Sequence, residues 1–268
     1  KNPIIRLKNS VFFGYKRWRN YESRIVKKFT IVIAVVDEMK QRLIEQHKLS
    51  KETIVVVPNS EKKEFSKNFE LKSPNYFSNL QDRFIISYVG GFGPHRGLHT
   101  AILAMKIISK EIPNALLVLV GPANNDVRSY LQDLIAENTL EKFVQIRGKE
   151  PFSSVVNIMK SSAINCIPHI SNEHTESAVP HKFYQILLSG KPLLVSDCAP
   201  MKRLVDHFDI GTCFESECPS SFASAVKHIH LEYEVALEKA NRGHEISLHG
   251  NLNWEFTSKN LVYLYDNL

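Results

Sequence analysis

The 268-residue chain has no apolar run approaching the ~18 to 20 residues that a bilayer crossing requires. Its opening residues also lack the pattern of a secretory signal. Cysteine is scarce, and Cys166, Cys198, Cys213 and Cys218 show no C-x-x-C spacing. That argues against a disulfide framework or a zinc knuckle, and for buried free thiols in a reducing cytosol. The glycines form neither a Walker loop nor a clean G-x-G-x-x-G fingerprint. Asp-x-Asp is absent, as are internal repeats and low-complexity tracts.

What is present is ordinary globular material, 43% hydrophobic and 23% charged, enough for one large domain or two small ones. The net charge of +6 is unevenly spread. Residues 1–28 hold nine Lys or Arg against a single acid, Glu22, with Phe12, Phe13, Tyr15, Trp18 and Tyr21 interleaved. Such a segment suits an anionic membrane surface or nucleic acid, or else a solvated helix with its aromatics packed inward.

From residue 84 onward, apolar runs alternate with helical periodicity. Residues 84–89, 116–120, 143–146, 163–168 and 193–196 read as strands. Between them, Leu98, Ala101, Ile102, Met105 and Ile108 mark a helix that Pro113 breaks. Asp126 is expected to cap a helix reaching about Asn138, Pro151 opens another, and Pro180 starts a third. Near-continuous apolar strands alternating with helices predict a doubly wound α/β domain with a parallel sheet covered on both faces. Upstream, residues 29–36, the helical 38–46 and 54–59 look like the last βαβ unit of a different sheet. Residues 61–82 read as a linker. That first sheet has too few strands, so the sequence predicts a chain beginning partway through an N-terminal domain. From about Cys218 the pattern is helical.

Two segments carry candidate chemistry. Pro180-His181-Lys182 opens a helix that Gly190 ends, and a helix start bearing a lysine is a good anion site. Gly90-Gly91-Phe92-Gly93 follows the strand at 84–89, at the carboxyl end where open α/β sheets bind ligands. Arg96 and Gly97 come directly after it, and an arginine fork beside exposed amides suits a diphosphate. His169, His174 and His181 lack metal-ligand spacing; a hydrogen bond to substrate, from His181 first, is the functional alternative to loop and surface positions.

Taken in order, these signals resemble the retaining glycosyltransferases of family 4. The resemblance begins at Glu22 and runs through Ile33-Ala34-Val35-Val36, Asp37 and Met39 to Val56-Val57-Pro58-Asn59. It continues with Tyr88-Val89-Gly90 and Arg96-Gly97, the strand ending at Gly121, Gly190-Lys191-Pro192, and Trp254 with Tyr265 in the closing helix. It implies a GT-B fold. Residues 1–60 would be the remnant of an acceptor-side Rossmann-like domain and 61–82 a linker. Residues 83–250 would be the complete nucleotide-sugar domain, and 251–268 a helix crossing back.

The resemblance also implies roles. Arg96 stands where the family holds the donor diphosphate with a lysine, and Gly91 stands where it has an arginine. Its paired glutamates would fall on Ser177 and Gln185, with Glu176 and Glu173 the nearest acids. Gln185 would accept a hydrogen bond from a ribose hydroxyl. Donor binding is thus assigned to Gly90, Gly91, Arg96, Gly97, Ser177, Pro180, His181, Lys182 and Gln185, with Glu173, Glu176 and His181 as catalytic candidates. The expected activity is sugar transfer from a nucleotide-sugar to a glycan or lipid-linked acceptor, with retention, in polysaccharide or envelope synthesis. No metal or other cofactor is expected, and no nucleic acid. The setting would be cytoplasmic, at the inner face of the plasma membrane. A degenerate nucleotide-binding scaffold and a sugar-nucleotide epimerase are the alternatives.

Overall fold

A computed structural model describes residues 15–67 and 75–267. The basic segment 1–14 and the linker residues 68–74 therefore lie outside the described residues. The first unit comprises α1 (Tyr15–Val26), β1 (Val32–Ala34), α2 (Asp37–His47) and β2 (Ile54–Val56). Its two strands pair in parallel, Val32 opposite Ile54 and Ala34 opposite Val56. Ala34, Leu43 and Ile54 form its small core. Glu22 ties α1 to α2: its carboxylate accepts from both Nη atoms of Arg42 at 3.0 and 2.9 Å and lies 2.9 Å from Nε2 of buried His47. Those partners, the Arg42 hydrogen bond foremost, hold the Glu22 carboxyl at about 2.

The second unit contains β3 (Phe84–Val89), α3 (Leu98–Glu111), β4 (Ala115–Val120), α4 (Asn125–Glu137), β5 (Val144–Arg147) and α5 (Phe152–Ser161). β6 (Ile164–Ile167), α6 (His181–Ser189), β7 (Leu193–Ser196), α7 (Ala199–Phe208), β8 (Thr212–Phe214), α8 (Pro219–Leu231), α9 (Tyr233–His249) and α10 (Trp254–Asp266) follow. All six strands are parallel, in the order β5-β4-β3-β6-β7-β8. Because side chains alternate across a strand, Leu116, Val118 and Val120 enter one core with α5, α6 and α7. Leu117 and Leu119 enter the other, with α3 and α8. Burial on both faces explains why β4 is an unbroken apolar run and why β3, β6 and β7 are apolar apart from buried Ser87, Asn165 and Ser196.

The structure departs from the sequence expectations in several places. Asn124, not Asp126, caps α4, its side chain accepting from the Val127 amide at 2.8 Å. Pro180 is the residue before α6 rather than its first helical position, with ψ 140 in the extended region. α7 and β8 were not foreseen. The segment read as a polar linker is anchored by its aromatics, since Phe65 and Phe77 are buried in the second unit's core. α10 lies back against the junction: Ser60 Oγ is 2.7 Å from Thr257 Oγ1, the Trp254 amide donates to Glu61 O, and Asn260 Nδ2 donates to Val56 O.

Candidate active site at the crossover of the six-stranded sheet

The chain leaves β3 toward one edge of the sheet through β4 and β5, then returns to place β6 on the other side of β3. The carboxyl ends of β3 and β6 therefore flank the switch point, where an open α/β sheet leaves a crevice. A cavity of about 500 Å³ lies there, lined among others by Asn59, Gly90, Arg96, His169, Lys182 and Gln185.

Glycine lets the two strand ends approach. Gly97 has φ 63, and a Cβ on it would lie 1.7 Å from the Pro168 carbonyl oxygen. No side-chain rotation relieves a clash with backbone. The turn holding Arg96 is thereby pressed onto the end of β6, and the Ile170 amide donates to His95 O at 3.0 Å. Arg96 Nη1 then lies 3.0 Å from His169 Nε2. Burial, reinforced by Lys182 and Arg96, drives the His169 imidazole down to about 2, so the ring is neutral and accepts the arginine's hydrogen.

Lys182 comes from the first turn of α6, which no side chain caps. Its Nζ sits 3.8 Å from the centre of the Tyr88 ring and is buried without a hydrogen-bond partner. A Cβ at Gly90 would come within 2.4 Å of that nitrogen, so glycine at 90 is what opens the space. Burial, with a smaller push from Arg96, lowers the Lys182 ammonium to about 7. His95 is lowered for the same reasons, burial first and then Arg96, His174 and Lys182. A desolvated, unsatisfied cation beside a second one is an unfavourable arrangement unless an anion enters.

The remaining predicted residues divide. His181 and Gln185 line the same cavity as Arg96 and Lys182, and Pro180 borders it. Gly91 is at its turn, where its carbonyl accepts from Tyr88 OH at 2.8 Å. Glu173, Glu176 and Ser177 instead line a neighbouring cavity of about 690 Å³ against α2, with Asp37, Glu38 and Arg203. The Glu176 carboxylate accepts from Ser171 Oγ at 2.5 Å and from the Ala199 amide at 2.7 Å, so it serves the start of α7. Cys166 lies beneath the site; burial raises its thiol to about 12, and it is inert at neutral pH. Among the described residues, no group of three His, Cys, Asp or Glu is arranged to hold a metal ion.

One acid was missed altogether. Glu61, in the connecting segment, accepts a hydrogen bond from Gln185 Nε2 at 2.9 Å and lies 3.6 Å from His181 Nε2. Glu61 and Gln185 are 124 positions apart, and no spacing signal links them.

The family model described as glycosyl transferases group 1 matches residues 70–244. An uncharacterized glycosyltransferase of Methanocaldococcus jannaschii is 26% identical over 69% of this chain and 44% of its own. A putative glycosyltransferase of Bacillus subtilis, YtcC, is 20% identical over 87% of this chain and 59% of its own. The chain thus spans about half the length of these curated relatives. In fold it is similar to Anabaena HepE in complex with UDP and glucose, with a TM-score of 0.77 at 17% identity over 93% of this chain and 67% of that one. A sucrose-phosphate synthase of Thermosynechococcus elongatus gives a TM-score of 0.74 at 18% identity, over 94% of this chain and 61% of that one. The fold is of the GT-B type, and with more than half its residues matched by the family model the chain belongs to the glycosyl transferases of group 1.

Proposed function

We propose that the cavity at the switch point binds the diphosphate of a nucleotide-sugar donor, and that the protein transfers the sugar to a glycan or lipid-linked acceptor with retention. The observation that carries this reading is the buried Lys182 side-chain nitrogen, without a hydrogen-bond partner among the described residues, in the cavity that Arg96 also lines and under Gly90. As the bond from the anomeric carbon to the diphosphate breaks, negative charge grows on the leaving oxygen. Two fixed cations and a helix start oppose it without needing to reorganise. The acceptor hydroxyl attacks from the same face and its proton passes to the departing phosphate oxygen. Ribose hydroxyls would meet Gln185, and Phe152, 59% exposed in the wall of the cavity, offers a ring for stacking the base.

The relatives support a donor of this class: HepE has been crystallised with UDP and with UDP-glucose. A thermal-shift panel of UDP-, GDP-, ADP- and CMP-sugars tests the reading. Ligand at about a hundred times its Kd should stabilise by ~2.7 kcal/mol, and no shift with any of them would refute it. Engagement of Glu176 at α7 favours the second reading, a nucleotide-binding module without turnover. Release of nucleoside diphosphate in the presence of acceptor distinguishes the two.

We further propose peripheral attachment to the cytoplasmic face of a membrane through α1. Trp18 and Tyr21 of α1 are 53% and 56% exposed rather than packed inward, and Phe29 just beyond it is 59% exposed. Among the described residues no helix is long and apolar enough to cross a membrane, so attachment would rest on these side chains and on charge.

A further inference from the structure

Given the donor-site reading above, we infer that Glu61 is a positioning residue that sets the polarity of Gln185, turning an ambiguous amide into a dedicated acceptor for the donor's ribose hydroxyls. A glutamine side chain has a donor end and an acceptor end of nearly the same shape. On the wall of a binding cavity, either end would face the ligand unless something fixes the amide. Here the fixing is complete. Nε2 donates to Glu61 Oε2 at 2.9 Å, and a carboxylate only accepts. The same nitrogen lies 3.4 Å from His181 Nδ1, which takes its second hydrogen in the tautomer that carries the ring proton on Nε2. With Nδ1 accepting, the His181 proton sits on Nε2, the atom that lies 3.6 Å from the same Glu61 oxygen. Both amide hydrogens are thus committed away from the ligand. The planar amide leaves Oε1 as the polar atom with no donor among the described residues, on a side chain that lines the cavity.

Glu61 is itself held in place. Its side chain is 13% exposed, its other oxygen accepts from the Lys62 amide at 2.8 Å, and its carbonyl accepts from the Trp254 amide of α10. Glu61 therefore has anchors independent of α6, on which Gln185 rides: the Lys62 amide at its carboxylate and the Trp254 amide of α10 at its main chain. A small displacement of the connecting segment relative to α6 would release the amide. The specificity of the ribose contact is in this way tied to the seating of the connecting segment against α6.

The test compares UDP with 2′,3′-dideoxy-UDP by calorimetry on the full chain. The unsubstituted protein should prefer UDP by about tenfold, the worth of one well-made hydrogen bond. Glu61→Ala should reduce that preference to less than about threefold while leaving dideoxy-UDP affinity unchanged. Adding Gln185→Glu should restore it, because a carboxylate has no donor end to misdirect. The exchange Glu61→Gln with Gln185→Glu keeps the pair with reversed polarity and should also preserve the preference, covering the case in which Glu61→Ala does not fold. A preference that survives Glu61→Ala overturns the role of Glu61. So does a loss that Gln185→Glu does not repair, since a merely structural defect would persist in both backgrounds. Failure of the unsubstituted protein to bind either nucleotide would instead refute the donor-site reading.

Discussion

Lys182 offers the sharpest test of the donor site, because its state of charge must change when an anion enters. Its ordinary value of 10.5 is lowered to about 7, mainly by burial. Reversing that difference is worth roughly 4 to 5 kcal/mol. Above pH 7 the ligand-free protein holds the amine neutral, whereas a diphosphate within contact returns it to the ammonium form. Binding should therefore take up about 0.9 proton at pH 8 and about half a proton at pH 7. Nucleoside-diphosphate affinity then falls about tenfold per unit as the pH rises from 7.5 to 9, and this group imposes no slope well below pH 7. Calorimetry with UDP in Tris and in HEPES at pH 8 reads the proton directly, as a difference in apparent enthalpy. Lys182→Met should abolish both the uptake and the slope, so its penalty is largest at pH 7 and shrinks toward pH 9. The same linkage acts on folding. Between about 7 and 10.5 the unfolded chain binds this proton and the native one does not, so the ligand-free protein should gain stability with pH relative to Lys182→Met. Identical enthalpies in the two buffers, together with a Kd flat from pH 7 to 9, would refute the assignment of Lys182 to the diphosphate.

Arg96→Ala should weaken UDP binding by ~1.5 to 3 kcal/mol, the scale of a charged hydrogen bond, with little change in melting temperature; unchanged calorimetric affinity would remove Arg96 from the site. Gly97→Ala places a Cβ 1.7 Å from the Pro168 oxygen at a φ of 63, so a loss of at least ~2 kcal/mol and of about 4 to 8 °C in Tm is expected by differential scanning calorimetry. Flotation with anionic vesicles should show binding at low salt that is reversed at high salt, each cation contributing at most about 1 kcal/mol, and Trp18→Ala with Tyr21→Ala should weaken it; no binding at low salt would leave α1 a solvated helix.

Some of this was legible in the sequence for definite physical reasons. β3, β4 and β7 are covered on both faces, so nearly every position is apolar, Ser87 and Ser196 excepted, and the runs stand out. β8 was not legible, because it is three residues long and lies at the sheet edge. α7 begins at Ala199-Pro200 without a side-chain cap and so carries no polar start signal. The cap of α4 was misassigned because Asn124 and Asp126 are both good cap residues, and only backbone geometry selects Asn124. Arg96 and Lys182 could be found from a glycine turn after a strand and a lysine at a helix start. The burial of Lys182 could not, since a lysine in a first turn ordinarily points to water; here it lies over Tyr88, in space that Gly90 leaves open. Glu176 read as a catalytic candidate, yet its partners are Ser171 and an amide at the start of the unforeseen α7.

The charge pattern explains why the acid of this site comes from outside the six-stranded unit. Arg96 and Lys182 lie on the wall with the rings of His95, His169 and His174 close by, and His169 is kept neutral by burial. A carboxylate carried on α6 at this point would lower the positive charge that the same cavity wall offers to phosphate. Glutamine at 185 adds no negative charge. The carboxylate of Glu61, reaching in from the connecting segment, meets Gln185, His181 and the neighbouring Lys62 amide. The arrangement separates two jobs that one acid would confuse, neutralising a lysine and orienting a hydroxyl acceptor. It also places the second job on the segment that connects the two units, whereas the proposed phosphate contacts of Arg96 and Lys182 are built wholly within the six-stranded unit.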